Sequence, residues 1–174
     1  DRFARSLQSL GISSIAFDMR GFGNSSGTRD YLKTEKEDIT TAERFLQNKG
    51  YQNISLVGSN VGANIGLRYA AYQSNSIRKV FLISPHLDWE NVLINSDVLE
   101  AYAPRELYLF VSKVDDPYWQ ETVKIKNKYS YGPKKLRLFI GQYDGFRLLD
   151  YRFDSIAGST YAWFIKTPKP KNED

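Results

Sequence analysis

Residues 51–70 read YQNISLVGSNVGANIGLRYA, and this stretch decides how the rest of the chain is organised. Ile54 to Gly58 (ISLVG) is a short β-branched, apolar run closed by a glycine, the pattern of a buried strand. From Val61 to Gln73 the pattern is helical, and Gly62, Ala63 and Gly66 are small enough to let that helix lie close on a sheet. A strand that turns into a helix within a few residues is half of a βαβ unit, the element from which parallel sheets are built.

The same alternation continues outward in both directions. Further strands are predicted at 13–18 (SSIAFD), 79–84 (KVFLIS), 106–112 (ELYLFVS) and 135–141 (KLRLFIG), each too apolar to have a wet face. Phe3, Leu7 and Leu10 mark a helix stopped by Gly11. Thr34 and Glu37 have capping-box spacing and precede a stripe of Ile39, Ala42, Phe45 and Leu46 that ends at Gly50. Pro117 to Tyr129 reads as a helix with proline in its first turn, and Ser155 to Ile165 as the last one, stopped by Pro168. Asp88 to Arg105 has room for a helix and a loop. The fold class is therefore α/β, a mostly parallel sheet flanked by helices, occupying residues 1–167 and followed by a disordered tail at 168–174.

Composition narrows the functional classes. With 174 residues, 41% hydrophobic and 14% aromatic, the chain can bury a real core, which excludes global disorder. The net charge of +4 arises largely between Lys124 and Arg137, where alternating lysines read as the solvated face of a helix; no nucleic-acid partner is expected. There are no cysteines, which removes thiolate nucleophiles and Cys-based metal sites. No apolar run reaches the roughly 20 residues of a membrane-spanning helix. The chain starts at Asp1 inside a helical pattern, so further sequence is expected upstream, including any targeting signal. Nothing here indicates a compartment.

The distinctive residues gather at the strands' carboxyl ends, where open α/β sheets bind ligands: FDMRGFGNSSG (17–27), LVGSNVG (56–62), ISPHLDWE (83–90), SKVDDPY (112–118) and GQYDGF (141–146). FDMRGFGNSSG resembles the FDxRGxGxS segment of the α/β-hydrolase superfamily of esterases, lipases and serine peptidases. LVGSNVG resembles its nucleophile elbow, SKVDDPY its acid strand, and GQYDGFRLL its GxxHGxxLL histidine segment. Their order along the chain is the one this fold uses. The resemblance implies the C-terminal portion of that fold, without its first strands and the loop that supplies one oxyanion amide.

The resemblance also implies what is missing. The elbow frame has small residues two before and two after the nucleophile; Gly58 and Gly62 fit it, and the residue between them is Asn60. Ser59 in a shifted frame would be flanked by Val57 and Val61. Asparagine tolerates positive φ, so Asn60 can keep the turn without supplying an activated hydroxyl. The histidine position holds Asp144, a poor base for an alcohol at neutral pH. The acid corresponds to Asp115 by spacing or to Asp116 by the DPY match, and Val61 would give the remaining oxyanion amide. His86, Asp88 and Gly145 are candidate pocket residues, His86 as part of a loop rather than a base. Convergent carboxylates at 144 and 115 or 116 could attract a hard cation, but a solvated acidic remnant is the simpler expectation, with no metal and no cofactor. The expectation is a catalytically inactive relative that binds an unidentified small molecule or protein, as dead-triad members such as neuroligins do. The alternative is an active esterase-type hydrolase, on carboxylic ester or acyl substrates, using other residues.

Overall fold

The computed structural model describes residues 2–114, 118–130, 132–141, 143, 145–151, 155–156, 158–160 and 162. Strands β1 (Ile54–Ser59), β2 (Ile77–Ile83), β5 (Glu106–Ser112) and β6 (Lys134–Phe139) form one sheet in the order β1-β2-β5-β6. All three pairings are parallel, with Leu56 opposite Val80, Leu82 opposite Leu109 and Leu109 opposite Leu136. Between β2 and β5, where a helix and loop are predicted, lie a two-residue antiparallel ribbon, β3 (Asp88–Trp89) with β4 (Val92–Leu93), and helix α5 (Ser96–Tyr102).

Alternation along the strands sends side chains to two separate cores. Val80, Leu82, Leu107 and Leu109 face α4 (Val61–Tyr72), α5 and α6 (Tyr118–Lys128), packing with Ile65, Leu99, Ile125 and Tyr129. Phe81, Ile83, Tyr108 and Phe110 face the other way, onto Phe3 and Leu7 of α1 (Arg2–Ser9) and Leu148 and Leu149 of α7 (Gly145–Tyr151). The Phe81 and Tyr108 rings stack across β2 and β5 at 4.8 Å. Gly66 sets the depth of α4 on the sheet: a Cβ there would overlap the Leu56 side chain. At Gly62 a Cβ would meet open space, so close packing does not require that glycine.

Several expectations are corrected. Residues 13–18 form no strand, because β1 pairs only with β2 among the described residues and 13–18 have no ladder to join. An apolar run becomes a strand only through its neighbour's hydrogen bonds. β1 and β6 are not dry on both faces, since each lies at an edge; Val57, Lys135, Arg137 and Leu138 are exposed. Thr34 is not a cap. Asp30 caps α2 (Tyr31–Lys33), accepting from the Lys33 amide at 2.9 Å, and Thr34 is buried in the π-helical turn Thr34–Asp38 that leads into α3 (Ile39–Asn48). The buried stripe of α3 is rotated from the predicted one: Glu43 is buried and Phe45 is 51% exposed. Donors from α4 and the turn after it account for this, since the Glu43 carboxylate accepts from Tyr69 Oη and from Ser74 Oγ at 2.7 Å. That carboxylate and burial push the Tyr69 hydroxyl up to about 12, with burial the larger cause. The sequence also gave no warning of α7. The last helix has helical residues at 155–156, 158–160 and 162, while Pro117 and the tail lie outside the described residues.

The segment 17–27 is tied by charge to the π-helical turn that leads into α3. Arg20 donates from Nε to Asp38 at 3.0 Å and from Nη2 to Glu37 at 2.7 Å, and its backbone N–H reaches Asp38 at 3.2 Å. Arg20 thereby holds the Asp38 carboxyl below the usual carboxylate range. The folded state then binds that proton more weakly than the unfolded chain, so the contribution is complete above about pH 4 and fades as pH falls through the lowered folded value. Asp38→Asn is expected to lower the thermal midpoint at neutral pH and to flatten the acid limb of stability; circular-dichroism melts across that range check it.

Candidate functional site

Asn60 sits where β1 turns into α4, at φ 52° and ψ −123°. A non-glycine residue holds such a conformation only when its surroundings fix it, and here they do. The Asn60 N–H donates to Ile83 O at 3.0 Å, tying the turn to the end of β2, and Asn60 O accepts from the amides of Ala63 (2.9 Å) and Asn64 (3.3 Å), starting α4. Gly58 makes the turn possible, since a Cβ there would lie 2.6 Å from the Gly62 carbonyl carbon. A tight strand-to-helix turn is therefore present between Gly58 and Gly62, with Asn60 at its tip. Ser59 points away from any such role: it is 3% exposed, and its Oγ has no hydrogen-bond partner among the described residues.

The Asn60 carboxamide faces Gly145, the first residue of α7. Gly145 has φ +44°, and a Cβ there would come within 2.7 Å of Asn60 Cγ, so both the conformation and the space demand glycine. The Asn60 Oδ1 is buried without a hydrogen-bond partner among the described residues. Ser84 locks the junction. It is fully buried at φ 49°, its N–H donates to Phe110 O at 2.8 Å, and its Oγ accepts from the Gly145 N–H at 3.0 Å. Ser112 does the equivalent for the last two strands, donating from Oγ to Gly141 O at 2.6 Å. Sequence reasoning quoted both serines and assigned neither a role; a small polar residue where each strand meets its loop was the available signal.

Asn64, also missed, fixes the wall formed by 84–95. Its Nδ2 donates to His86 O (2.9 Å) and Val92 O (2.7 Å), while its Oδ1 accepts from the His86 N–H (3.1 Å). The same loop is held by Glu121, which accepts from the Leu87 N–H at 2.8 Å, and by Thr122 Oγ1, which donates to Pro85 O at 3.2 Å. His86 is 5% exposed, its ring stacked on Tyr118 at 3.8 Å and edge-on to Trp89 at 4.3 Å. It is a buried loop residue packed between two aromatic rings. Asp88 is exposed and accepts from the Asn91 N–H at 2.9 Å, turning the β3–β4 ribbon. Asp115, Asp116 and Asp144 lie outside the described residues.

Two clefts, of about 480 and 730 Å³, flank residues 12–18 and do not include Asn60 or Gly145 in their walls. Among the described residues no group of three or more His, Cys, Asp or Glu could hold a metal ion, and no helix is long and apolar enough to cross a membrane.

Residues 1–134 match the profile of the alpha/beta hydrolase fold family. Over 73 residues the chain is 38% identical to the probable lysophospholipase BODYGUARD 4 of Arabidopsis thaliana, a match covering 41% of this chain and 17% of that protein. The chain thus spans less than a fifth of that relative. Among solved structures, a lipase-esterase related protein from Clostridium acetobutylicum superposes with a TM-score of 0.73 at 15% identity, covering 92% of this chain and 88% of the other. An alpha-beta serine hydrolase homologue from Coxiella burnetii gives 0.72 at 20% identity, covering 91% and 72%. At these identities the likeness speaks to the fold alone.

The Asn60–Gly145 contact can be weighed directly. Gly145→Ala is expected to cost about 1–3 kcal/mol through positive φ and overlap with the carboxamide. In an Asn60→Ala background the overlap disappears, and a double-mutant cycle by urea melts should show coupling of about 1 kcal/mol.

Proposed function

Since the chain belongs to the alpha/beta hydrolase fold family, we propose that it is a member that binds a ligand or partner without hydrolysing esters. The observation that carries this reading is the side chain at the elbow. The β1–α4 turn is strained at Asn60 and presents a carboxamide packed against Gly145, where the resemblance would place a nucleophile. An amide has no ionisable hydroxyl to attack an acyl carbon. The sequence position of the base holds Asp144, and loss of a triad nucleophile or base alone lowers turnover about a millionfold.

An esterase using other residues needs an accessible nucleophile beside a base. Ser59, Ser84 and Ser112 are buried, and Ser84 and Ser112 are already bonded to backbone. The single histidine is enclosed by two aromatic rings. These facts support a binding role over a relocated active site. The likeness to a lysophospholipase adds a lysophospholipid to the ligands worth testing.

The test is a fluorophosphonate probe read by intact mass, beside turnover of p-nitrophenyl esters and a lysophospholipid. No adduct and no turnover above buffer are expected, for the chain and for Asn60→Ser alike, because restoring the hydroxyl leaves it without a base. Probe labelling of a serine in the folded wild-type chain would sink the proposal.

A further inference from the structure

Strand β6 closes the sheet on the side away from β1, and its residues divide by position. The first half is basic, with Lys134, Lys135 and Arg137. The end is aliphatic and open to solvent: Leu138 is 38% exposed and Ile140, one residue past the strand, 78%. Leu136 packs on the core beneath α6, so by alternation Leu138 projects on that same side. Backbone geometry brings the end of β5 alongside. The Lys113 N–H donates to Phe139 O at 2.9 Å, and Ser112 Oγ donates to Gly141 O at 2.6 Å. Val114, 56% exposed, thereby joins Leu138 and Ile140 at one tip, next to the exposed Lys113.

Helix α6 turns one flank to this edge. Tyr118 stacks on His86, Glu121 accepts from the Leu87 N–H and Thr122 donates to Pro85 O, so that flank covers the loop after β2. At about 100° per residue, Trp119, Val123 and Lys126 fall on the opposite flank, toward β6. Between residues 118 and 141 five lysines and one arginine stand against a single acid, Glu121. Over 113–147 basic residues outnumber acidic ones eight to four, an excess equal to the net charge of the whole chain, +4. Lys124, Lys126 and Lys128 have no ion-pair partner among the described residues.

The side-chain types say what covers this surface. Val114, Leu138 and Ile140 have no ring face on which a base stacks, and Tyr129, within the basic stretch, is fully buried, so the patch lacks the platform of a nucleic-acid site. Lysine is depleted at protein–protein interfaces, where arginine and aromatic rings are enriched, and here lysine dominates. Lysines behind protruding aliphatic side chains suit an anionic bilayer, whose acyl boundary takes the aliphatic groups while its phosphates meet the ammonium groups. Arg137, whose Nη1 donates to Ser159 Oγ, stands three residues before Ile140. In extended chain that is about 10 Å, comparable to the roughly 5–10 Å that interfacial apolar groups penetrate.

We propose that the tip formed by Val114, Leu138 and Ile140 docks this protein on an anionic phospholipid surface, with Lys113, Lys126, Lys135 and Arg137 at the level of the lipid phosphates. The tip stands at the carboxyl ends of β5 and β6, so docking sets the loop end of the sheet, where the β1–α4 turn also lies, toward the lipid. This goes beyond the role proposed above and holds whether that turn binds or hydrolyses.

The experiment is flotation of the chain with phosphatidylcholine vesicles containing about one-third phosphatidylserine, compared with pure phosphatidylcholine. Binding is expected to the mixed vesicles alone and to fade between about 0.1 M and about 0.5 M salt. Ile140→Asp should weaken it at least about tenfold, the scale of withdrawing one aliphatic side chain. Lys126→Gln and Lys135→Gln should each weaken it about fivefold. Lys49→Gln, at the end of α3, should leave it unchanged. Ile140→Trp should keep binding and be quenched by lipids with brominated acyl chains, a gain of signal that a misfolded variant would not give. The proposal falls if neither vesicle floats the chain at millimolar lipid, if pure phosphatidylcholine binds as well as the mixture, if Ile140→Asp binds like the parent chain, or if the chain self-associates through Ile140 without lipid.

Discussion

The constraint on which the rest depends is a line of hydrogen bonds across the carboxyl ends of the strands. The Asn60 N–H donates to Ile83 O, the Ser84 N–H to Phe110 O, and the Lys113 N–H to Phe139 O. Each bond leaves the last turn of one strand and lands on the end of the next, so the four ends are held level. Every loop that could carry chemistry starts from that line. The positive φ at Asn60 and Ser84 is sustained there because releasing either residue would also break a buried backbone bond.

Such a frame does not need a catalytic side chain. The bonds that hold the elbow come from backbone atoms of Asn60, and those that hold the opposing helix come from Ser84 Oγ and the Gly145 amide. None involves a hydroxyl or imidazole at a triad position. The wall at 84–95 likewise hangs on the Asn64 carboxamide and on Glu121 and Thr122. The frame of the site is thus held mainly by backbone atoms and by buried side chains away from the elbow tip.

The sheet was legible because strand and helix leave different periods in the sequence. β5 was predicted to the residue and the other paired strands to within a few. The elbow was legible because Gly58 leaves a mark that sterics explain. What escaped depended on partners distant in sequence. Glu43 reads as a surface residue until Tyr69 and Ser74 are known to supply donors. Ser84 and Asn64 are ordinary polar residues until Gly145 and His86 arrive beside them. Gly62 was read both as a small residue for close packing and as the small residue two after the elbow tip, yet a Cβ there would meet open space.

Residues 13–18 show the same lesson in reverse. Their composition is that of a strand, and they line two clefts, Ser13, Ser14 and Ala16 the smaller and Ile15, Phe17 and Asp18 the larger. Composition fixes only which faces the side chains take. Pairing needs a second backbone, and the described residues offer none on that side. The prediction of a buried strand here is wrong about both the hydrogen bonds and the burial, since residues 13–18 are all exposed.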